Sequence, residues 1–85
     1  SVLILSIGKD KEAIELSEKL RSEGVGCTTA FGKISKSLEY ANSNAIPYVV
    51  FFGEEEAKKK KVKLRNMKSG KEEMVSIKDL SKKLK

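Results

Sequence analysis

Apolar positions along this chain change their spacing several times, and each change marks an element. Tyr48 to Phe52 is an unbroken run of five large apolar residues, preceded by Ile46-Pro47 and followed by Gly53-Glu54-Glu55-Glu56. A strand with one wet face alternates apolar and polar side chains, so an unbroken run predicts a strand covered on both faces. The run is short for a core helix, and Tyr, Val and Phe favour extended backbone. Residues 47–52 therefore predict the central strand of a sheet with helices on both sides. Gly53 lets the chain turn, and Glu54 to Glu56 open a short helix to about Lys58, where carboxylates suit the positive N-terminal end of the helix dipole.

Val2 to Ile7 is a second nearly continuous run and predicts another well-buried strand, ended by Gly8. Asp10 is the expected N-cap of the next helix. From Lys11 to Glu23 the apolar positions Ala13, Leu16 and Leu20 recur at steps of three and four, with Ile14 on their flank, and Gly24 is the expected stop. Val25 to Phe31 alternates, with Val25, Cys27 and Phe31 on one side, which fits a half-covered strand near a sheet edge. Ser35 is the expected cap of a second helix whose stripe is Leu38, Ala41 and Ala45, with Tyr40 off it. That helix ends at Ile46-Pro47, because a residue before proline avoids helical dihedrals.

Lys61 to Arg65 alternates cleanly, with Val62 and Leu64 facing in and Lys61, Lys63 and Arg65 facing out together. The turn Lys68-Ser69-Gly70-Lys71 then predicts a hairpin over residues 60–76. Ser76 and Asp79 have capping-box spacing, Val75 and Leu80 can form a hydrophobic staple, and Ile77, Leu80 and Leu84 stripe a closing helix. The order β-α-β-α-β, short helix, hairpin, helix combines with right-handed crossovers to predict one topology. It is an α/β fold: three layers, α/β/α, around a five-stranded mixed sheet of order 2-1-3-4-5 with strand 4 antiparallel.

Length makes this one domain, residues 1–85, with a modest core. Ser1 followed directly by strand-like residues suggests a piece excised from a longer protein. No apolar run is long enough to cross a bilayer and nothing reads as a signal peptide. A lone cysteine, Cys27, in a strand predicts a buried, inert thiol and an intracellular setting. The absence of histidine removes His-based acid–base catalysis, Ser–His and Cys–His nucleophiles and most zinc or copper sites. A net charge of +6, concentrated in the second half, suits a polyanion.

In an open sheet of this kind, ligands collect beyond the carboxyl ends of the strands at the switch point. Three loops converge there: Gly8-Lys9, Phe31 to Ser35, and Gly53-Glu54. They carry Lys9, Lys33, Lys36, Glu54 and Glu56, with Lys61, Lys63 and Arg65 alongside. The glutamates serve either the helix start or the N–H groups of an unstacked base. The lysines are either a solvated edge or phosphate contacts. Phe31 and Tyr40 divide between packing and stacking, whereas Tyr48, Phe51 and Phe52 belong to the core. Gly8 begins no phosphate-binding fingerprint, Cys27 has no CxxC partner, and nothing near Glu54 and Glu56 would separate their pKa values for acid–base work.

With the elements placed, the sequence resembles the C-terminal anticodon-binding domain shared by the histidyl, glycyl, threonyl and prolyl class II aminoacyl-tRNA synthetases. The matching stretches are Leu20 to Val25, Tyr40-Ala41 with Ile46 to Val50, and Gly53 to Glu56. The hairpin Val62 to Gly70 looks most like the histidyl branch. One departure is Ala45, where that family usually has glycine; Asn44 is expected to take the left-handed position instead. The resemblance implies a non-catalytic tRNA-binding module, part of a cytoplasmic histidine–tRNA ligase. Its partners would be the tRNA anticodon loop and the parent catalytic domain, in a homodimeric full-length enzyme. The domain itself would take no cofactor or metal, ATP and magnesium serving the full-length synthetase. Carried over by position, the implied RNA-binding residues are Phe31, Lys33, Ser35, Lys36, Glu54, Glu56, Lys61, Lys63 and Arg65, with Lys33, Lys36, Lys63 and Arg65 expected on phosphates and Glu54 or Glu56 expected to help read a base. The rival readings are a dimerisation module of a synthetase-like paralogue without tRNA binding, and, more weakly, a nucleotide-binding or small-molecule enzyme.

Overall fold

The computed structural model describes residues 2–84. Its elements run β1 (Val2–Ser6), α1 (Asp10–Ser22), β2 (Cys27–Phe31), α2 (Ile34–Ser43), β3 (Tyr48–Phe52), α3 (Glu54–Lys59), β4 (Lys61–Asn66), β5 (Glu72–Ser76) and α4 (Ile77–Leu84). The sheet order is β2-β1-β3-β4-β5, with β1, β2 and β3 parallel and β4 antiparallel to both of its neighbours. The expected topology is the observed one, and β3 holds its centre. No helix among the described residues is long and apolar enough to cross a membrane.

The unbroken runs are explained by two cores, one on each side of the sheet. Val2, Ile4, Val50, Phe52, Val62, Leu64 and Val75 face one way, onto Ala13, Leu16 and Leu20 of α1 and Leu80 of α4. Leu3, Leu5, Val49 and Phe51 face the other way, onto Ala41 and Leu38 of α2. Successive side chains of β1 and β3 thus enter opposite cores, and the one polar side chain of β1 that is buried, Ser6 at its end, has hydrogen-bond partners. The second core is the thinner, and α2 packs mainly over β1 and β3. The outward face of β4 and β5 on that side is left open.

Helix ends decide the loops around this frame. Gly24 (φ +89°) closes α1 in a Schellman motif: Val25 N–H donates to Leu20 O at 2.9 Å and Gly24 N–H to Arg21 O at 3.0 Å. Two expected N-caps are corrected. Asp10 is the first helical residue of α1, after Lys9. Its carboxylate is taken by Ser6, whose Oγ donates to Asp10 Oδ1 at 2.8 Å while accepting from Lys9 N–H at 3.2 Å. Ser35 lies inside the first turn of α2, which starts after Lys33 with no side-chain cap. At the other end, Ser76 Oγ donates to Asp79 Oδ2 at 3.0 Å, and Val75 and Leu80 share one core, as the staple requires.

The end of α2 corrects a further expectation. Asn44 keeps a φ of −100°, and the left-handed residue is Ala45, at φ +53°. Ile46 N–H donates to Ala41 O at 2.9 Å and Ala45 N–H to Asn42 O at 3.3 Å, a second Schellman closure. Geometry places C′ one residue beyond the cap, whatever side chain stands there. A left-handed alanine costs about 1 kcal/mol that glycine would not. Ala45→Gly should therefore raise the melting temperature by a few degrees, about 4–8 °C per kcal/mol for a domain this size. Asn44→Gly should lower it. Thermal denaturation followed by circular dichroism checks both; a lower melting temperature for Ala45→Gly would show that the left-handed site carries no strain.

Candidate nucleic-acid interface

The carboxyl ends of β1, β2 and β3 open onto one rim. Ile7 N–H donates to Phe52 O at 2.9 Å, which sets the loop after β1 beside the turn after β3. At Gly53 the dihedral angles demand no glycine, and the tightest contact a side chain would meet is the movable end of Glu56. A Cβ there would come within 2.9 Å of Glu56 Oε1 and 3.6 Å of Ile7 Cβ, while φ is an ordinary −117°. Gly53 N–H donates to Glu56 Oε1 at 2.8 Å, so this carboxylate caps α3 from its third position.

From this rim a groove of about 270 Å³ runs down the open sheet face, between α2 and β4. Ile34 and Leu38 of α2 line it with Phe51 of β3 and Ile7 of the rim, and the polar lining is Glu56, Lys63, Arg65 and Glu72. The register accounts for the arrangement: Lys63 lies opposite Phe51 and Arg65 opposite Val49, while Glu72 of β5 lies opposite Arg65. Glu72 bridges the two cations, with Oε2 at 3.4 Å from Arg65 Nη1 and Oε1 at 3.9 Å from Lys63 Nζ. Arg65 Nε is buried and has no hydrogen-bond partner among the described residues. Two carboxylates and two cations make the groove formally neutral, with apolar walls. A larger hollow of about 450 Å³ at the opposite end of the sheet, lined by Tyr48, Asn66, Lys71 and Lys83, contains none of the residues expected to bind RNA.

Of those residues, the groove brings together Glu56, Lys63 and Arg65. Lys33, Ser35 and Lys36 are exposed at the start of α2, flanking Ile34. Lys61 is exposed at the rim end of β4, and Glu54 is the exposed first residue of α3. Phe31 ends β2 half-exposed, at 50%. These six do not line the groove. Ile7, Ile34, Leu38 and Glu72 line it without having been expected there from the sequence. Ile7 and Ile34 are both more than two-fifths exposed and line the same groove, a pairing visible only once the strand and helix ends are set. Outside the groove, Lys58 to Lys61 make no ion pair within 4 Å among the described residues, although Glu54 to Glu56 stand one turn away. Cys27 is half-buried, with Sγ donating to Ser17 O at 3.3 Å. Burial pushes its thiol pKa up, with Arg21 opposing, so the thiolate is disfavoured, though the side chain is half-buried rather than buried as expected.

The family model described as "Anticodon binding domain" matches residues 1–85. The chain belongs to the anticodon-binding domain family. A histidine–tRNA ligase of Bacillus cereus is 38% identical over 84 residues, covering 95% of this chain and 20% of that protein. Among solved structures, the histidyl-tRNA synthetase of Nostoc sp. PCC 7120 superposes with a TM-score of 0.88 at 26% identity, over 96% of this domain and 21% of that chain. The RNA-binding domain of threonyl-tRNA synthetase from Cryptosporidium parvum shares the fold, with a TM-score of 0.89 at 24% identity over 99% of the domain and 22% of that chain. This anticodon-binding domain thus spans about a fifth of the relatives it matches.

Proposed function

We propose that this domain is the tRNA anticodon-binding module of a histidine–tRNA ligase, non-catalytic alone, reading unstacked anticodon bases at the sheet rim. The observation that carries the reading is the groove between α2 and β4, which joins apolar walls to a fixed set of opposed charges. Single-stranded RNA is read by splaying bases against apolar or aromatic surfaces and bonding their edges. Phe51, Ile34 and Ile7 provide the surface. Arg65 and Lys63 supply donors, and Glu56 keeps Oε2 available as an acceptor while Oε1 holds Gly53. Glu54, Ser35 and the half-exposed ring of Phe31 extend the site around the rim. Lys33, Lys36 and Lys61 take the phosphates on either side. Aminoacylation, with ATP and magnesium, belongs to the catalytic part of such a ligase, which this module helps to select its tRNA.

Filter binding of a stem-loop carrying the histidine anticodon, against the same stem-loop with a scrambled anticodon, tests this. The first should bind at least about tenfold more tightly, the discrimination of one well-read base edge. If the three phosphates facing Lys33, Lys36 and Lys61 are neutralised, log affinity should fall against log salt with a slope of roughly −2. Equal binding of the two stem-loops overturns the reading. Self-association with no RNA affinity would favour the dimerisation module in its place.

A further inference from the structure

The two cations in the groove share one carboxylate, contributed by the edge strand β5. We infer that Glu72 is a specificity-determining residue: it cancels the charge of Lys63 and Arg65 so that their corner of the groove favours a base edge over a phosphate. The inference rests on the anticodon-binding reading and goes beyond it, since it assigns a role to an acidic side chain in a basic RNA-binding domain. A phosphate approaching Lys63 and Arg65 meets the Glu72 carboxylate as a like charge, which disfavours it. A neutral base edge meets no such penalty, and Arg65 still has donors left over from its bond to Glu72. Glu72 also restrains the guanidinium, and an Arg fork discriminates base edges only in a fixed plane. Both pairs are partly exposed, with side chains between 35% and 48% accessible, so a ligand in the groove can reach them.

Glu73, the next residue, provides the control. It lies opposite Leu64, on the other face of the sheet, and pairs with Lys83 at 3.1 Å. Glu72→Gln and Glu73→Gln each remove one negative charge, from opposite faces. The readouts are affinity for the cognate and scrambled stem-loops across a salt series, and the salt needed to elute each protein from heparin. Glu72→Gln should bind the scrambled loop more tightly and lose about fivefold in discrimination, the size of a partly exposed charged pair. Its salt slope should steepen by about 0.7 to 1.4, as one or two cations become free for single-stranded phosphates. It should also elute from heparin later than Glu73→Gln, a comparison that needs no anticodon. Glu72→Asp should restore most of the discrimination. If the wild-type protein discriminates and Glu72→Gln behaves as Glu73→Gln does, the inference is overturned and the anticodon reading survives. If the wild-type protein does not discriminate, both fall.

Discussion

Truncation of Leu3 to alanine is expected to remove about 3–4 kcal/mol of folding stability, within the range measured for buried leucines. That is a large share of the roughly 5–15 kcal/mol available to a small domain. Leu3 is fully buried in the middle of β1, hydrogen-bonded on both edges and facing α2. The core it belongs to is the thin one, with Leu5, Val49, Phe51 and Ala41 as its buried partners. Because β1 is pinned between β2 and β3, the strand cannot shift to fill the space, and the cavity should persist. At about 4–8 °C per kcal/mol, the melting temperature should fall by roughly 12–30 °C. Ile14→Ala, at a position 44% exposed, should change stability by less than about 0.5 kcal/mol. Urea denaturation of the two variants decides the matter. A Leu3→Ala cost below that of Ile14→Ala would mean that α2 does not seal this face. The same helix carries Ile34 and Leu38, so its seating also shapes the groove.

What could be read in the sequence follows from what each feature depends on. The two-sided burial of β3 was legible because five successive apolar residues leave an extended segment no face for water. Gly24, the inward pair Val62 and Leu64, and the Ser76–Asp79 contact were legible because each is decided within a few residues. Asp10 and Ser35 misled for a related reason. Both are good caps by type, but the helix start is set by the preceding turn, and Ser6 claims Asp10 first. Ala45 illustrates the limit from the other side, since the motif fixes which position is left-handed and the side chain there merely bears the strain.

Glu72 was out of reach for a different reason. Its place beside Arg65 depends on hairpin register, which the loop sets through several bonds at once. Asn66 N–H donates to Lys71 O at 2.8 Å and Gly70 N–H to Asn66 O at 2.7 Å, while Asn66 Oδ1 accepts from Lys68 and Ser69 N–H. With Asn66 and Lys71 paired, Arg65 must face Glu72. A slip of one residue would set Glu73 there and turn the acidic side chain of residue 72 to the other face. The alternation along β4 showed that three cations point one way; it could not show which anion joins them. The consequence is a change in how the basic residues divide. Lys58 to Lys61 and the α2 lysines make no ion pair among the described residues and suit phosphates, whereas Lys63 and Arg65 are balanced within the groove.

Arg65→Ala should therefore weaken cognate stem-loop binding by about 1–3 kcal/mol, roughly 5-fold to 150-fold, and most of that loss should be discrimination rather than salt dependence. Arg65 is two-thirds covered, with its Nε buried and one Nη held by Glu72. Its position along the groove is thereby fixed, as a base-reading fork requires. Lysine offers the same charge without the plane, so Arg65→Lys should keep the wild-type salt slope yet bind cognate and scrambled loops almost alike. Lys61→Ala should do the reverse, flattening the slope by about 0.7 with the preference for the cognate loop intact. The proposed division sets a residue that would read, inside the groove, against one that would attract, on the rim beside it. Titrations at several salt concentrations measure it directly. Should Arg65→Lys preserve discrimination while lowering affinity for both loops equally, Arg65 would be a phosphate contact, and base reading would have to reside elsewhere on the rim.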